Sequence, residues 1–312
     1  MVIRLNGQKT PVKSTREGYA VVVNRLIPKA GNPLRNKLRV ELTQPEQPRR
    51  LVISGASGGL GRALARHYLK QGAVVGAIAR RAEFLQSLST EFPGQVYCYP
   101  LDVRDAPALR AAAQDFSARV GVPDIVIANA GVSVGTLTEY AEDLDAFRQV
   151  MDINVLGMVN TFQPFVAAMR QAALSPSPSP ASGRGGHFTL VGVASVAGFR
   201  GLPGVGAYSA SKAAAISYLE SLRVELHGSG VKVVTLCPGY IRTPMTAANP
   251  YPMPFILDAD EAATRMARAI GRQAAFAVIP WQMGLLGRAL KLLPRCLYDR
   301  LLADAPRKPR PH

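Results

Sequence analysis

Apolar runs of four to six residues alternate with amphipathic segments from residue 51 onward. The apolar runs predict strands at Leu51–Ser54, Val74–Ala79, Val96–Tyr99, Ile125–Ala128, Phe188–Val193, Val231–Leu236 and Phe276–Ile279. Apolar positions at helical spacing predict helices at Arg62–Gln71, Ala82–Glu91, Ala106–Val120, 143–172, 207–227 and 259–272. Strands separated by such helices predict a parallel sheet, and strands that are apolar on both faces predict helices on both sides. The fold class is therefore α/β, a doubly wound parallel sheet.

The segments before and after this alternation are predicted to be extensions of a single domain at residues 49–280. Residues 1–48 lack sustained periodicity and contain five prolines, so they predict a basic N-terminal extension. Residues 281–312 predict a basic amphipathic C-terminal extension, interrupted at Pro294. This second extension lies on a membrane surface, caps the substrate pocket, or packs on the body or on another subunit, and the sequence leaves all three open.

A low-complexity stretch, SPSPSPASGRGG at Ser175–Gly186, interrupts the predicted domain. Its composition cannot pack a core, so it predicts a loop inserted between a helix and the amino end of a strand. Ligands in open α/β sheets bind at the carboxyl ends of the strands. We therefore expect the insertion on the rim of the sheet that lies away from the chemistry.

The formal net charge of +16 is concentrated at the two ends of the chain. Residues 1–50 carry a net +8 and residues 281–312 a net +5, which leaves +3 for the residues between them. We expect solubilising tails, with contact to anionic membrane or nucleic acid as the alternative; the nearly neutral body predicts no nucleic-acid partner. Cys98, Cys237 and Cys296 are too far apart for a disulfide framework or a metal site. These isolated cysteines indicate a reducing compartment, and no apolar stretch reaches the ~20 residues of a membrane span, so we expect a metal-free cytoplasmic protein.

The first predicted strand runs into the glycine-rich turn Ser54–Gly61, with the sequence SGASGGLG. Glycines at 55, 59 and 61 permit a tight turn, close approach of a pyrophosphate to the backbone, and close packing of the helix on the strand. The helix that follows adds free N–H groups and the positive end of its dipole. A glycine-rich turn after the first strand of a βαβ unit therefore predicts a dinucleotide site.

Six motifs, taken in order, resemble the classical short-chain dehydrogenase/reductase family over residues 50 to about 280. They are the glycine-rich turn with spacing GxxxGxG, Asp102 after the third strand, Asn129-Ala130-Gly131 after the fourth, Asn154 in MDINVLG with Ser195 in VGVASVAG, Tyr208-x-x-x-Lys212 in YSASK, and Pro238-Gly239-x-x-x-Thr243. The resemblance implies a Rossmann-type fold, a nicotinamide cofactor, and a homodimer or homotetramer that associates through the two long helices. One departure is Ser54, where the family usually has Thr, and the hydroxyl is kept.

The resemblance and the residue types together assign two sets of site residues. The expected catalytic residues are Asn154, Ser195, Tyr208 and Lys212, of which Ser195 and Tyr208 bind the substrate oxygen. The expected cofactor-binding residues are Gly55, Ser57, Gly59, Leu60, Gly61, Arg80, Arg81, Asp102, Val103, Asn129, Ala130, Gly131, Tyr208, Lys212, Pro238, Gly239, Ile241 and Thr243. The resemblance further implies that Asp102 contacts adenine, that Lys212 binds the nicotinamide ribose, and that Asn154 supports a water-mediated proton relay.

The residue types also predict the chemistry. Tyr208 and Lys212 are four residues apart on a predicted helix and share one face. A phenol with a pKa of ~10 is a poor acid or base near neutrality, and we expect the Lys212 ammonium to lower the pKa of Tyr208. Ser195 follows a strand and precedes Tyr208 by 13 residues, where its hydroxyl can bond the substrate oxygen. Together they predict hydride transfer between nicotinamide C4 and a carbinol carbon while Tyr208 exchanges the proton.

The end of the second strand predicts which nicotinamide cofactor binds. NAD sites place a carboxylate ~20 residues after the glycines on the ribose 2′-hydroxyl. Here the sequence is Ala79-Arg80-Arg81, with no carboxylate before Glu83. Guanidinium groups bind a 2′-phosphate, with Arg80 the leading candidate, Arg81 either a second contact or a solvated side chain, and Ser57 an added donor. We therefore expect a preference for NADP(H), with NAD(H) as the alternative.

Three segments are expected on the substrate side, Val132–Thr136, Phe199–Gly206 and Tyr240–Leu257. They supply the apolar residues Val132, Val134, Phe199, Leu202, Val205, Met245, Tyr251, Met253 and Phe255, which predict an apolar or lipid-like carbonyl or alcohol. A 3-oxoacyl-thioester reductase of fatty-acid type shares the catalytic residues and is the second interpretation, since basic tails suit an acidic carrier protein. A non-catalytic NADP(H)-binding sensor or scaffold is the third, and the intact catalytic positions argue against it.

Overall fold

The computed structural model describes the backbone of residues 2–5, 8–11, 20–24 and 39–43, and residues 48–175, 188–247, 249 and 251–310 with their side chains. Apart from Ser175, the insertion predicted at Ser175–Gly186 lies outside the described residues. The chain divides into two compact units. The described strands of the first unit form two antiparallel pairs, Val2–Leu5 (β1) with Gln8–Pro11 (β2), and Ala20–Asn24 (β3) with Arg39–Thr43 (β4).

Seven parallel strands form the central sheet of the second unit, in the order β13-β10-β9-β8-β5-β6-β7. They are Arg50–Ser54 (β5), Val74–Ala79 (β6), Val96–Pro100 (β7), Ile125–Ala128 (β8), Phe188–Val193 (β9), Val231–Pro238 (β10) and Phe276–Ile279 (β13). β5 pairs with β6 on one side and with β8 on the other, so the strand order reverses there. Open α/β sheets bind ligands outside the carboxyl ends of the strands at this reversal.

Helices cover both faces of the sheet. One layer consists of Gly59–Leu69 (α1), Ala82–Glu91 (α2) and Ala259–Gly271 (α8). The other consists of Ala106–Arg119 (α3), Gly157–Leu174 (α5) and Gly206–Glu225 (α6). Leu51 and Ile53 of β5 pack with the first layer and Val52 with the second, because successive side chains of a strand point to opposite faces. The predicted fold class, a doubly wound parallel sheet, is confirmed.

The helix predicted at 143–172 is interrupted in the structure. Asp143–Met151 (α4) is followed by a π-helical turn at Asp152–Leu156, and α5 begins only after it. The wider turn contains Asn154, and such turns are frequent at functional sites. Helix α1 also begins three residues earlier than predicted, because the glycine-rich turn supplies its first residues. The other predicted boundaries agree with the structure to within two residues.

The chain beyond β10 forms smaller elements before and after β13. Ile241–Arg242 (β11) pairs in parallel with Leu257–Asp258 (β12), and Pro244–Ala247 (α7) lies between them. After β13 come two helices, Trp281–Leu292 (α9) and Arg295–Leu302 (α10), with Pro294 immediately before the second. Among the described residues, none of the helices combines the length and the apolar composition of a membrane-spanning segment.

Both of these last helices belong to the second unit and pack on the rest of it. Gly287 of α9 lies against the ring of Phe199, where a Cβ would collide with it. The Arg200 guanidinium lies 3.7 Å from the centroid of the Tyr298 ring of α10, and it donates hydrogen bonds to the carbonyl oxygens of Leu290 and Leu293. Residues 199 and 200 therefore hold α9 and α10 against the body.

Candidate active site

A cleft of about 370 Å³ opens at the carboxyl ends of the central strands. Every predicted cofactor-binding residue lines it, from Gly55 to Thr243, and so does Ser195. Asn154 is the one predicted site residue outside this lining. The lining also includes residues that the sequence did not assign to a site: Gly58, Ala79, Leu101, Ile153, Val193, Ala194, Pro244 and Thr246.

The glycine-rich turn is tied to the loop after β8 through Ser54. The Ser54 hydroxyl accepts hydrogen bonds from the N–H groups of Asn129 at 3.2 Å and Ala130 at 3.3 Å. The Asn129 amide donates to the Ser54 carbonyl oxygen at 3.1 Å. Gly55 has φ +71°, and a Cβ there would lie 2.8 Å from the Asn129 amide nitrogen, so both backbone and space require glycine. Serine in the usual threonine position thus keeps the hydroxyl bonded.

The N-terminus of α1 faces the cleft without a side-chain cap. Its N-cap residue is Gly58, and no side chain accepts a hydrogen bond there. The N–H groups of the first helical turn and the positive end of the dipole therefore point toward the part of the cleft lined by Gly58 and Gly59. The pyrophosphate of a dinucleotide fits this cradle, because it is anionic and glycine lets it approach the backbone.

The two arginines after β6 differ in what they contact. Arg81 donates to the Ser57 hydroxyl at 3.4 Å and lies 4.1 Å from the centroid of the Phe84 ring. Arg80 lines the cleft near Asp102 and helps to lower the pKa of that carboxyl. The sequence favoured Arg80 as the phosphate contact, but the structure brings Arg81 to the glycine-rich turn. Adjacent side chains of an extended backbone point in opposite directions. The order of the residues alone does not show which of the two arginines points toward the glycine-rich turn.

The Asp102 carboxylate is held by a neighbouring arginine. Arg104 donates to its two oxygens at 2.8 Å and 3.1 Å, and the Arg104 backbone N–H donates to it at 2.9 Å. The side-chain hydrogen bond is the largest cause that lowers the pKa of Asp102. The carboxylate is therefore ionised at neutral pH and can accept a hydrogen bond from an amine in the cleft.

Ser195 and Tyr208 meet where β9 and α6 converge. The Ser195 hydroxyl shares a hydrogen bond with Tyr208, accepts from the Ala197 N–H at 3.1 Å, and reaches the Pro238 carbonyl oxygen at 3.4 Å. Burial raises the pKa of Tyr208, and the hydrogen bond to Ser195 opposes that rise. The expected lowering of this pKa by Lys212 is not found. Lys212 Nζ lies 5.8 Å from the Tyr208 ring centroid, and desolvation of the phenol dominates.

Lys212 is a buried cation whose position is fixed by a backbone carbonyl. Its Nζ donates to the Val193 carbonyl oxygen at 2.8 Å, and burial lowers the pKa of Lys212 to about 8. A Cβ at Gly131 would lie 3.5 Å from this Nζ and 3.1 Å from Asn154 Oδ1, so a side chain at Gly131 would crowd both groups. The ammonium is thus confined between the end of β9 and the loop after β8.

The side chain of Asn154 joins three elements behind the cleft. Its Oδ1 accepts from the Val132 N–H at 2.8 Å, and its Nδ2 donates to the Val132 carbonyl oxygen at 3.0 Å and to the Ser211 hydroxyl at 2.9 Å. Asn154 is fully buried. Both donor hydrogens of the amide are used, so this side chain positions the loop after β8 against α6.

Two further residues that organise the site escaped the sequence reasoning. The Ser211 hydroxyl accepts from Asn154 and donates to the Tyr208 carbonyl oxygen at 2.8 Å. The Thr246 hydroxyl accepts from the Thr243 N–H at 3.1 Å and donates to the Ile241 carbonyl oxygen at 2.6 Å. Ser211 lies inside the YSASK motif, which was the available signal. Thr246 lies three residues after Thr243, the last residue of its motif. Only the folded turn brings the Thr246 hydroxyl back to that motif.

Two of the nine apolar residues expected around the substrate are in the lining of the cleft. Val132 and Met245 line the cleft. Phe199 does not; its ring packs on Gly287 and stacks at 6.0 Å on Phe276. The expectation that Phe199 faces the substrate is therefore not met, because the ring is used to anchor α9.

A short segment after α10, Arg307–Arg310, crosses the three segments expected on the substrate side; we call it the strap. Lys308 Nζ donates to the Ser133 hydroxyl at 3.1 Å and to the Met245 carbonyl oxygen at 3.3 Å. The Pro309 carbonyl oxygen accepts from the Gly135 N–H at 3.2 Å, and Arg307 lies against Gly204. This part of the basic tail packs on the body instead of serving only solubility, because its polar groups find partners there.

Arg310 anchors the strap in a site formed by Tyr140, Glu142 and Asp143, which we call the acidic socket. Its Nε donates to Asp143 at 2.9 Å, its Nη2 to Glu142 at 2.8 Å, and its guanidinium lies 3.5 Å from the centroid of the Tyr140 ring. The Asp143 side chain is 3% exposed and that of Arg310 is 21% exposed. The pair is therefore largely desolvated, which makes it more sensitive to loss of one partner than a surface ion pair.

The variant Arg310→Ala is expected to lower the urea concentration at the midpoint of unfolding, since a buried carboxylate loses its cation while water reaches part of the site. Urea unfolding at neutral pH measures this change. The matched control is Arg265→Ala, which removes an exposed pair with Glu261 and is expected to cost less than about 0.5 kcal/mol. Equal losses in the two variants would show that the socket is not a stabilising contact.

Comparison with known proteins shows which family this site belongs to. A family model described as short chain dehydrogenase matches residues 49–252. This chain belongs to the short-chain dehydrogenase family. As a short-chain dehydrogenase it is an NAD(P)-dependent oxidoreductase that acts on CH–OH groups, and the predicted resemblance is confirmed.

Individual relatives agree with this assignment. An uncharacterized oxidoreductase of Myxococcus xanthus (strain DK1622) is 39% identical over 254 residues, which cover 80% of this chain and 95% of the relative. A short chain dehydrogenase from Burkholderia cenocepacia J2315, in complex with NADP, has a TM-score of 0.68 at 26% identity and covers 82% and 98% of the two chains. A 3-ketoacyl-(acyl-carrier-protein) reductase from Brucella melitensis, complexed with NADH, shares the fold, with a TM-score of 0.66 at 22% identity over 74% and 96%.

Proposed function

We propose that this short-chain dehydrogenase uses NADP(H) to interconvert a carbonyl and a secondary or primary alcohol on an apolar or lipid-like substrate. The observation that carries the proposal is that Ser195, Tyr208 and Lys212 share one cleft with the uncapped N-terminus of α1. The nicotinamide, when bound, supplies or accepts the hydride at the carbinol carbon. The predicted cofactor-binding residues all line that cleft, which supports their roles.

Residues of this chain donate and accept the proton that is exchanged with the substrate oxygen. Because burial raises the pKa of Tyr208, its hydroxyl is protonated at neutral pH and can donate to a carbonyl oxygen. Ser195 is hydrogen-bonded to Tyr208 and can offer a second hydroxyl to the same oxygen. We assign Lys212, which lines the cleft with its Nζ 5.8 Å from the Tyr208 ring centroid, the role of binding the nicotinamide ribose. We assign Asn154 the role of positioning the loop after β8 against α6, the helix that carries Tyr208 and Lys212.

The preference for NADP(H) rests on Arg81 and Arg80. A guanidinium beside the Ser57 hydroxyl can bind a 2′-phosphate with charge-assisted hydrogen bonds, which contribute about 1.5–3 kcal/mol each. The variant Arg81→Ala is therefore expected to lower kcat/KM for NADPH by about tenfold to a hundredfold. Arg80→Ala is expected to have a smaller effect, because Arg80 lies toward Asp102. Steady-state kinetics with each cofactor measures both values.

NADH is the internal control for these variants, since its ribose carries no phosphate. We expect kcat/KM for NADH to change less than about threefold, because no charge-assisted hydrogen bond is lost. Wild-type protein that prefers NADH, or an Arg81→Ala variant that loses NADH and NADPH activity equally, would refute the assignment.

The substrate class is tested with a panel of carbonyl compounds followed at the NADPH absorbance band. Long-chain ketones and aldehydes are expected to be the best substrates, because Val132 and Met245 line the cleft. A clear preference for 3-oxoacyl thioesters favours the fatty-acid-type reductase, the second interpretation. NADPH binding without turnover of any carbonyl favours the non-catalytic sensor or scaffold.

We also propose that the chain forms a homodimer or homotetramer through α4, α5 and α6. Large apolar side chains are exposed along these helices and the π-helical turn between α4 and α5, among them Leu144, Leu156 and Val224. Exposed apolar side chains on these helices support an interface, because burying them between subunits removes apolar surface from water. The family usually forms oligomers, which agrees with this reading.

A further inference from the structure

Helices α9 and α10 carry an apolar surface that the rest of the second unit does not cover. Their inward residues, Met283, Gly284, Gly287 and Tyr298, are buried against the body. Six large apolar side chains on the same two helices are 41–83% exposed: Trp281, Leu285, Leu286, Leu292, Leu297 and Leu301. We call this set the outer face. Clustered exposure of this extent in one short stretch is typical of an interaction surface.

The apolar positions of the outer face recur at helical spacing. Trp281, Leu285 and Leu292 lie on one side of α9, and Leu297 and Leu301 are one turn apart on α10. Contacts of Arg200 and Tyr298 with the body hold both helices in place, so the outer face is presented by a docked structure. Helices of 12 and 8 residues are too short to cross a bilayer, for which ~20 are needed. Helices of this length can instead lie flat on a membrane surface.

The charges around the outer face have one predominant sign. Arg288, Lys291, Arg295 and Arg300 are exposed among the apolar residues, and Asp299 is the acidic residue of the same two helices. Apolar side chains flanked by cations, with a tryptophan at one end, fit the boundary between acyl chains and anionic headgroups. A second copy of this chain fits less well, because a symmetric contact would place the same four cations opposite one another.

We propose that the outer face binds the surface of an anionic lipid bilayer. The apolar side chains of α9 and α10 enter the headgroup region, and the four basic side chains contact lipid phosphates and carboxylates. The chain is then a peripheral membrane protein that attaches through these two helices.

Attachment through the outer face places the cleft next to the bilayer. Helix α9 contacts Phe199, four residues after Ser195, and Met283 of α9 lies against Gly239 of the cleft lining. Tyr298 of α10 donates a hydrogen bond to the Gly201 carbonyl oxygen. Helix α9 thus packs on a residue of the cleft lining, and α10 packs on the loop that follows Ser195. If the proposed function holds, an apolar substrate reaches the cleft from the bilayer next to it.

The tryptophan provides a direct measurement, because Trp281 is the one tryptophan in the sequence. Full-length protein is mixed with phosphatidylcholine vesicles that contain about 30 mol% phosphatidylserine, with pure phosphatidylcholine as the comparison. The expected result is a shift of Trp emission to shorter wavelength and quenching by brominated lipid, with the anionic vesicles only. Binding is expected to weaken as salt rises. No substrate is present, so failure of the proposed reaction does not affect the outcome.

Matched variants locate the contact. Leu292→Glu and the pair Arg288→Gln with Lys291→Gln are each expected to raise the Kd for anionic vesicles by about tenfold or more. Leu174→Glu is the apolar control, because Leu174 is also a highly exposed last residue of a helix. Arg110→Gln with Arg268→Gln is the charge control, which removes two exposed cations elsewhere. Both controls are expected to keep wild-type binding. Circular dichroism and NADPH binding verify that each variant is folded.

Three results would overturn the proposal. The first is an unchanged Trp emission on anionic vesicles. The second is vesicle binding that survives in the outer-face variants, which would place the contact elsewhere in the chain. The third is a lower sedimentation coefficient in the outer-face variants without loss of vesicle binding, which would show that a second copy covers this surface.

Discussion

Replacement of Tyr208 by phenylalanine is expected to lower kcat by about 10³-fold or more, because proton transfer by a positioned side chain contributes about 10²–10⁴ to the rate. The change removes one oxygen, the one that shares a hydrogen bond with Ser195. The ring remains, so the packing beside Lys212 is kept. NADPH binding, measured by fluorescence titration, is expected to stay within about threefold of wild type, because no phosphate contact is lost.

The control for this variant is Tyr218→Phe, on the same helix ten residues further along. Tyr218 packs against the core on the α6 side of the sheet, and its hydroxyl has no assigned role in the cleft. We expect this control to keep wild-type kcat. Substantial turnover in Tyr208→Phe, with the control unaffected, would show that another group exchanges the proton.

Replacement of Lys212 by methionine is expected to abolish turnover and to stabilise the fold. Burial lowers the pKa of Lys212 to about 8, whereas a lysine in the unfolded chain has a pKa of about 10.4. Between these values the unfolded chain binds a proton that the folded chain does not, so wild-type stability rises with pH across that window. Below it, the buried ammonium costs up to about 3 kcal/mol.

Methionine carries no such cost but loses the hydrogen bond to Val193, which is worth about 1 kcal/mol. The free energy of unfolding at pH 7 is therefore expected to exceed that of wild type by about 2 kcal/mol. The difference should shrink as the pH rises from about 8 to about 10.5, where the unfolded lysine also loses its proton. Urea unfolding across this pH range measures it, and a difference that stays constant would contradict a buried charge.

Lys232→Met is the control for this experiment. Lys232 is an exposed residue of β10, so its replacement should change stability by less than about 0.5 kcal/mol at any pH. Activity separates the two variants as well: the control should turn over normally, and Lys212→Met should not. A Lys212→Met variant that is both unstable and inactive would indicate a structural role for the lysine.

Most of the sheet and its helices follow from the sequence, since apolar runs and helical spacing are local properties. The seven predicted strands are all present, and most boundaries agree within two residues. The interruption at Asp152–Leu156 has no such local signal. The π-helical turn lies where the Asn154 amide bonds Val132 and Ser211, which are distant in sequence. Boundaries that depend on long-range hydrogen bonds are not visible in a hydrophobic pattern.

The direction of a pKa shift is another property that the residue types alone did not determine. Spacing correctly placed Tyr208 and Lys212 on one face of a helix, and a nearby cation suggested a lowered phenol pKa. In the structure, desolvation outweighs that effect and raises the pKa of Tyr208. Desolvation depends on everything that surrounds a group, including β9, β10 and the loop after β8, so it requires the packed molecule.

The sequence by itself determined the family, the fold class and most of the residues that line one cleft, because the motifs lie at strand ends and strand ends converge at one edge of a parallel sheet. Tertiary structure alone decided that Arg81 contacts the glycine-rich turn, that Phe199 anchors α9, and that Arg310 of the strap pairs with Asp143. Each of these depends on the direction in which a side chain points or on contacts between residues far apart in the chain. Such contacts form only when the whole molecule packs, which a local pattern does not contain.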